Sequence, residues 1–149
     1  MSDRHAALRR PHDDTQRLAA LRIVLIVVGL IAVFAIWPLM ILWPSGWTWH
    51  SGHSDYPLMI VGIYATLGVF LLMASRDPMK HLSLIWFTVW SSVVHGAIMA
   101  VQSFGVEMDG ARHFGHLFGD VPALFIVAAA LAFFTPRGDK ARALARMTL

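Results

Sequence analysis

Residues 82–104 read LSLIWFTVWSSVVHGAIMAVQSF and carry no formal charge when His95 is neutral. An apolar stretch of this length spans the roughly 30 Å hydrocarbon core of a bilayer as a helix. Three more apolar stretches accompany it: LRIVLIVVGLIAVFAIWPLMILW at 21–43, PLMIVGIYATLGVFLLMAS at 57–75, and a fourth at about 111–135. The sequence therefore predicts an all-α integral membrane protein, a four-helix bundle in up-down-up-down order.

The composition agrees with a membrane protein. Hydrophobic residues make up 57% of the chain and charged residues 14%, against about 45–50% and about 25% in soluble domains. This balance excludes a disordered chain and a soluble nucleic-acid binder, so we expect no nucleic-acid partner despite the net charge of +3. The chain has no cysteine, which excludes disulfides, thiolate metal sites and a cysteine nucleophile.

The positive charges predict the orientation of the spans. Of the 12 Lys and Arg residues, Arg112 alone falls in the loops 44–56 and 105–112. Loops rich in Lys and Arg stay in the cytoplasm, so we expect both termini there, N-in and C-in. The chain then divides into a polar cytoplasmic tail at 1–20, a four-span membrane domain at 21–135 and a basic cytoplasmic tail at 136–149. The lipid bilayer is its immediate partner.

Ionisable residues inside the spans are the main functional signal, because buried polar groups in a bilayer are costly. His95 and Asp120 each lie about 13 Å deep, counted from the outer ends of the third and fourth spans, and Tyr64 lies about 10 Å deep. We expect His95 and Asp120 to interact directly or through one water. The outer half of the bundle is predicted to hold one polar cluster: Tyr64, His95, Gln102, His116 and Asp120.

The start of the fourth helix is open on the sequence alone. The helix begins near residue 111, which draws Asp120 into the membrane, or Asp120 is the N-cap of a shorter helix and 110–119 form a re-entrant or surface segment. Pro38 is expected to kink the first span. The aromatic residues near the outer ends of spans one and two are interpreted as an interfacial collar, with ligand stacking as the alternative: Trp37, Trp43, Trp47, Trp49 and Tyr56.

Two H-x-x-H pairs fall on the predicted outer side, His50 with His53 and His113 with His116. Neutral imidazoles bind transition metals and haem iron, so these residues are candidate metal ligands. The alternative is a structural network of His and Asp hydrogen bonds, and the sequence favours that network because H-x-x-H is a weak pattern.

The run YATLGVFLLMASRDPMKHLSLIWFTVWSSVVHGAIMAVQSF, at 64–104, resembles the central part of small uncharacterised bacterial four-span membrane proteins, loosely DoxX-like. The stretches WPSGWTW at 43–49 and HLFGDVPAL at 116–124 are similar to the closer uncharacterised family. The resemblance implies a multi-pass protein of the bacterial inner membrane. It does not imply an activity. The wider group includes a subunit of a quinone-linked thiosulfate oxidoreductase, so the resemblance implies association with a respiratory or redox assembly.

The expected function is therefore an accessory or structural component of a larger membrane complex, or of a homo-oligomer, rather than an enzyme. The alternative is a site for quinone, haem or a transition metal, built on His95, His116 and Asp120. A small transporter is a third interpretation, which the short chain disfavours because it lacks the doubled halves common in transporters.

Overall fold

The computed structural model describes residues 11–48, 56–105 and 114–136. All regular structure in these ranges is helical. We number five helices, of which α1 contains a π-helical turn, and two 3-10 turns precede α4 and α5: α1 (Pro11–Leu30, Ile31–Ala35 and Ile36–Leu42), α2 (Pro44–Trp47), α3 (Tyr56–Ala74), the turn Pro78–His81, α4 (Leu82–Gln102), the turn Phe114–Leu117 and α5 (Asp120–Phe134).

The described residues contain four helical stretches that are long and apolar enough to cross a membrane: Thr15–Leu42, Tyr56–Ala74, Pro78–Gln102 and Phe114–Phe134. The four apolar helices predicted from the sequence are therefore present. Their outward faces are apolar, with Phe34, Ile63 and Trp90 each more than half exposed, which is the surface that a helix in lipid requires. Insertion, orientation and the up-down order remain predictions.

The hydrophobic core occupies one end of the bundle, near the turn that joins α3 to α4. Leu21 and Leu25 of α1, Leu71 of α3, Ile85 of α4 and Leu131 of α5 are completely buried there and pack together. These residues lie early in α1 and α4 and late in α3 and α5. The candidate site lies between this core and the opposite end of the bundle.

Helices α1 and α3 cross at a pair of glycines. A Cβ atom on Gly29 would approach the Gly68 carbonyl oxygen, and one on Gly68 would approach the Gly29 carbonyl oxygen. Small residues at a helix crossing let two backbones come close enough for extensive van der Waals contact, which matters more in lipid than in water. The pairing of Gly29 with Gly68 emerges from the structure.

A π-helical turn, Ile31–Ala35, precedes Pro38 in α1, and the kink expected at Pro38 stays a prediction. Proline has no N–H and its ring crowds the carbonyl group four residues earlier, which here belongs to Phe34. In the π turn the backbone hydrogen bonds join residues five apart instead of four. The crowded carbonyl therefore lies where the regular α-helical hydrogen bonds are already interrupted. Residues of this turn face the cavity described below.

The last helix begins at Asp120 rather than near residue 111. Gly119 precedes it with a non-helical backbone, φ −107° and ψ −107°. Pro122 falls in the first turn of α5, where an N–H has no partner within the helix, so it interrupts no hydrogen bond. This start matches the shorter-helix alternative, with Gly119 in the capping position instead of Asp120. Residues 106–113 lie outside the described ranges.

Candidate functional site

A cavity of about 490 Å³ extends from the hydrophobic core, where Leu71 lines it, toward the end of the bundle that holds Asp120. The four long helices all contribute to its wall, which is mostly aliphatic. Its volume lies within the roughly 300–1,000 Å³ of pockets that bind small molecules. The polar side chains on the wall are few and lie on three of these helices: Tyr56, Tyr64, Thr88, Ser92, His95, Gln102 and Asp120.

One face of α4 supplies much of this wall. Positions 88, 92, 95, 99 and 102 are spaced by three or four residues, which places them on one side of an α-helix. Thr88 belongs to this face, and the hydroxyl of Ser91 donates to the Thr88 carbonyl oxygen at 3.2 Å. Thr88 in turn donates its hydroxyl to the Leu84 carbonyl oxygen at 2.9 Å. The hydroxyl proton of Thr88 is thus already used within the helix.

Tyr64 of α3 and His95 of α4 form a hydrogen-bonded pair on the wall, with 3.1 Å between the hydroxyl oxygen and Nδ1. Their rings are tilted by 36° at a centroid distance of 6.1 Å. When the hydroxyl donates, the neutral imidazole keeps an N–H on Nε2. When Nδ1 donates, the tyrosine keeps its O–H. Either arrangement leaves the pair one further donor for a ligand.

His116 and Asp120 form a second pair, with 2.8 Å between Nδ1 and Oδ2. The histidine is completely buried and Asp120 is 7% exposed. Because the carboxylate oxygen accepts, the proton of this hydrogen bond resides on Nδ1. Asp120 also lies in the first turn of α5, where the helix dipole favours negative charge. The fold therefore holds an acidic group at the cavity wall and fixes its orientation.

Two glycines position this second pair against α2. A Cβ atom on Gly115 would collide with the Ser45 carbonyl oxygen, and one on Gly119 would collide with the Gly46 carbonyl oxygen. Only glycine at both positions lets the backbone before α5 touch the backbone of α2. The contact fixes the turn that carries His116 and positions α2 beside the cavity.

This contact also places Trp47 on the cavity wall. The indole Nε1 of Trp47 is buried and has no hydrogen-bond partner among the described residues. Trp37 and Trp43, in contrast, are 45% and 43% exposed. The interfacial collar was one interpretation for all of these residues, and the position of Trp47 favours the alternative of ligand contact for this one.

The structure brings most of the predicted cluster together. Tyr64, His95, Gln102 and Asp120 line one cavity, and His116 adjoins it through Asp120. The direct contact between His95 and Asp120 remains a prediction. In the structure His95 forms a hydrogen bond with Tyr64, and Asp120 forms one with His116.

The metal hypothesis concerns residues that fall mainly outside the described ranges. His50, His53 and His113 lie there, and His116 is the one member of the two H-x-x-H pairs that the structure describes. Within residues 11–48, 56–105 and 114–136, no group of three or more His, Asp or Glu side chains is arranged to hold a metal ion. A site on the two H-x-x-H pairs stays a prediction.

Comparison with known proteins gives one match. The model of a family of unknown function, DUF6632, covers residues 15–146, and the chain belongs to this family. The match includes all four candidate membrane helices and both hydrogen-bonded pairs. No curated protein and no solved structure matches the chain.

Proposed function

We propose that this member of DUF6632 is a small integral membrane protein that binds one small lipophilic molecule inside its helix bundle. The cavity would hold the apolar part of that molecule. The Tyr64–His95 and His116–Asp120 pairs would bind its polar group. The same molecule would then contact α3, α4 and α5 together.

The observation that carries this proposal is the position of both polar pairs on or beside the wall of one cavity. Ionisable groups inside membrane helices are costly and usually have a role. A network that only joined helices would need no space beside it, and well-packed interiors leave few voids larger than a water molecule. Here the polar groups adjoin about 490 Å³ of space, which supports binding.

The proposal includes the orientation that the positive charges favour. Both termini would lie in the cytoplasm of a bacterial inner membrane, and the cavity would lie in the outer half of the bilayer. The distribution of Lys and Arg supports the orientation, and the resemblance to bacterial four-span proteins supports the membrane. A ligand could then enter from lipid or from the outer aqueous side.

The accessory role in a larger complex, redox or otherwise, is a second proposal with weaker support. The exposed apolar faces of the helices suit a protein partner and lipid equally well, and the DoxX-like resemblance is its main argument. A lipophilic cofactor such as a quinone would satisfy both proposals. A haem or a metal would need ligands, and among the described residues of the cavity wall His95 and Asp120 are the ones that could supply them.

The direct test is native mass spectrometry of the full-length protein, purified with native lipid and compared with two variants. Ala123 lies on the cavity wall, and Ala129 is exposed on the same helix, so Ala123→Phe fills the cavity and Ala129→Phe is its matched control. We expect the wild type and Ala129→Phe to retain one small molecule that Ala123→Phe lacks. Circular dichroism establishes that the two variants are folded alike.

The same sample distinguishes the proposals. An absorption spectrum and metal analysis identify haem or metal, and organic extraction identifies a quinone. Binding in the cavity would be contradicted if all three proteins retained only ordinary phospholipid, to an equal extent, and if no added small molecule displaced it. A co-purifying protein that survives in Ala123→Phe would instead support the accessory role.

A further inference from the structure

Ser92 carries a hydroxyl group that the described part of the protein does not use. The residue is 7% exposed and lies on the cavity wall, and its hydroxyl has no hydrogen-bond partner among the described residues. A serine in a helix often donates to the carbonyl oxygen four residues earlier. For Ser92 that carbonyl belongs to Thr88, and the neighbouring Ser91 already donates to it. The Ser92 hydroxyl is therefore left for the cavity.

The Tyr64–His95 pair lies one helical turn of α4 beyond Ser92. Side chains three residues apart on a helix are neighbours, with about 5–6 Å between their Cβ atoms. The pair keeps one donor proton, either on His95 Nε2 or on the Tyr64 hydroxyl. Ser92 adds a second donor on the same wall. Two donors this close can converge on one carbonyl oxygen, because that oxygen has two lone pairs.

We infer that the cavity binds its ligand through an uncharged oxygen acceptor, a ketone or ester carbonyl, to which Ser92 and the Tyr64–His95 pair both donate. This inference rests on the proposed function and names the chemical class of the ligand. A carbonyl group among the hydrocarbon chains of a bilayer has no donor to bond with. The two hydrogen bonds therefore favour a carbonyl compound over a hydrocarbon of the same shape.

The two donors lie near the middle of the cavity rather than at either end. On α4, Thr88 and Gln102 mark the ends of the wall, and each is seven residues, or about 10 Å, from His95. Most of the wall on both sides of the donors is apolar, and the Thr88 hydroxyl donates within α4. The ligand is therefore elongated, with its carbonyl group between two apolar arms.

Charged polar groups fit this site less well. The described wall has no Lys or Arg to neutralise a carboxylate or a phosphate, and a charge that leaves water without a partner is costly. The acidic side chain on the described wall, Asp120, is engaged by the protein itself, because Oδ2 accepts from His116 and Oδ1 is buried. An ammonium group beside Ser92 would meet donors instead of acceptors. An uncharged acceptor avoids these costs.

Three probes of nearly equal shape test this assignment: diheptyl ketone, pentadecane and the diheptylammonium cation. The ketone carries an isotopic label at its carbonyl carbon, so that infrared difference spectra report the hydrogen bonds to it. We would record them on the full-length protein in nanodiscs and subtract empty nanodiscs. Ala123→Phe, which fills the cavity, defines the signal that belongs there.

We expect the wild type to show a bound carbonyl band at lower frequency than in lipid, because hydrogen bonds weaken the C=O bond. Ala123→Phe should lack this band. Unlabelled diheptyl ketone should displace the labelled ketone at a concentration at least roughly tenfold lower than pentadecane or diheptylammonium requires, because each of those lacks the two hydrogen bonds.

Ser92→Ala removes one donor and breaks no hydrogen bond between described residues. It should move the bound carbonyl band back toward its frequency in lipid and weaken ketone binding about fivefold, the equivalent of one hydrogen bond of roughly 1 kcal/mol. Ser91→Ala is the matched control, because the Ser91 hydroxyl donates within α4 and Ser91 is absent from the described cavity wall. That variant should keep the wild-type band and affinity.

The outcomes separate the two levels of the argument. Equal displacement by pentadecane, tighter binding of diheptylammonium, or a wild-type band in Ser92→Ala would overturn the carbonyl assignment and leave the binding proposal intact. The same holds if no ketone binds to a protein that retains another small molecule on purification. Wild-type protein that shows no ketone band beyond that of Ala123→Phe, and that retains no small molecule, would overturn both. The comparison of probes is read on the wild type, so it stands even if Ser92→Ala folds poorly.

Discussion

Substituting Gly68 with alanine tests the close crossing of α1 and α3. A Cβ atom at this position would lie 2.7 Å from the Gly29 carbonyl oxygen, 2.8 Å from Val33 Cγ2 and 3.0 Å from Ala32 Cβ. These contacts are with backbone and short side chains, which cannot move aside without moving the helices. Overpacking of this kind costs about 1–3 kcal/mol. Gly62, on the same helix, has no atom within 4 Å of such a Cβ, so Gly62→Ala is the control.

Both variants gain the same helix propensity, about 0.5–1 kcal/mol for alanine over glycine. The difference between them therefore isolates the crossing. We expect Gly68→Ala to unfold with a free energy about 1–3 kcal/mol below that of Gly62→Ala. Reversible unfolding in mixed detergent micelles, followed by circular dichroism, measures both. Equal stability of the two variants would refute the close approach of the helices at Gly68.

Three other predictions concern Asp120, Asp77 and the membrane topology. Asp120→Leu should insert normally, because it removes an ionisable group from an apolar span. The variant should also lower the free energy of unfolding by roughly 0.6–2 kcal/mol, because the hydrogen bond of Asp120 is lost. Unchanged stability in the same unfolding assay would place the Asp120 carboxylate in contact with water or headgroups. The hydrogen bond from Lys80, 3.0 Å away, holds the pKa of Asp77 below its ordinary value, so this pair stabilises the fold above the unfolded-state pKa, and the effect is lost as pH falls through the lower folded-state pKa. The stability difference between wild type and Asp77→Asn should accordingly shrink on acidification below about pH 4, whereas a difference that grows with acid would reverse the assigned sign. Finally, an impermeant thiol reagent on intact cells should label Ser51→Cys and spare Ser2→Cys, and the opposite pattern would invert the proposed topology.

The sequence predicted the helical architecture because the length of an apolar stretch and its lack of charged residues are local properties of the chain. It also indicated Tyr64, His95 and Asp120 as a group, since the depth of a residue in a span follows from the rise per residue alone. The start of α5 was harder. Its position depends on the backbone at Gly119, which is non-helical, and a glycine is compatible with both helix and loop.

The pairing of the polar side chains required the three-dimensional structure. Depth counting places His95 near Asp120 but says nothing about how each helix is rotated, and rotation decides that His95 meets Tyr64. The cavity is likewise a property of four helices packed together. The position of α2 depends on the contacts of Gly115 and Gly119 with carbonyl groups more than 60 residues earlier in the chain. No local sequence pattern encodes such contacts.

Photolabelling with a small uncharged lipophilic diazirine, mapped by tandem mass spectrometry, tests the central claim most directly, namely that the bundle admits a lipophilic molecule. With the wild type in nanodiscs, we predict adducts on the cavity wall at Tyr64, His95 and Asp120, and their loss in Ala123→Phe but not in Ala129→Phe. Labelling confined to outward-facing side chains such as Phe87 and Trp90, and identical in all three proteins, would contradict it.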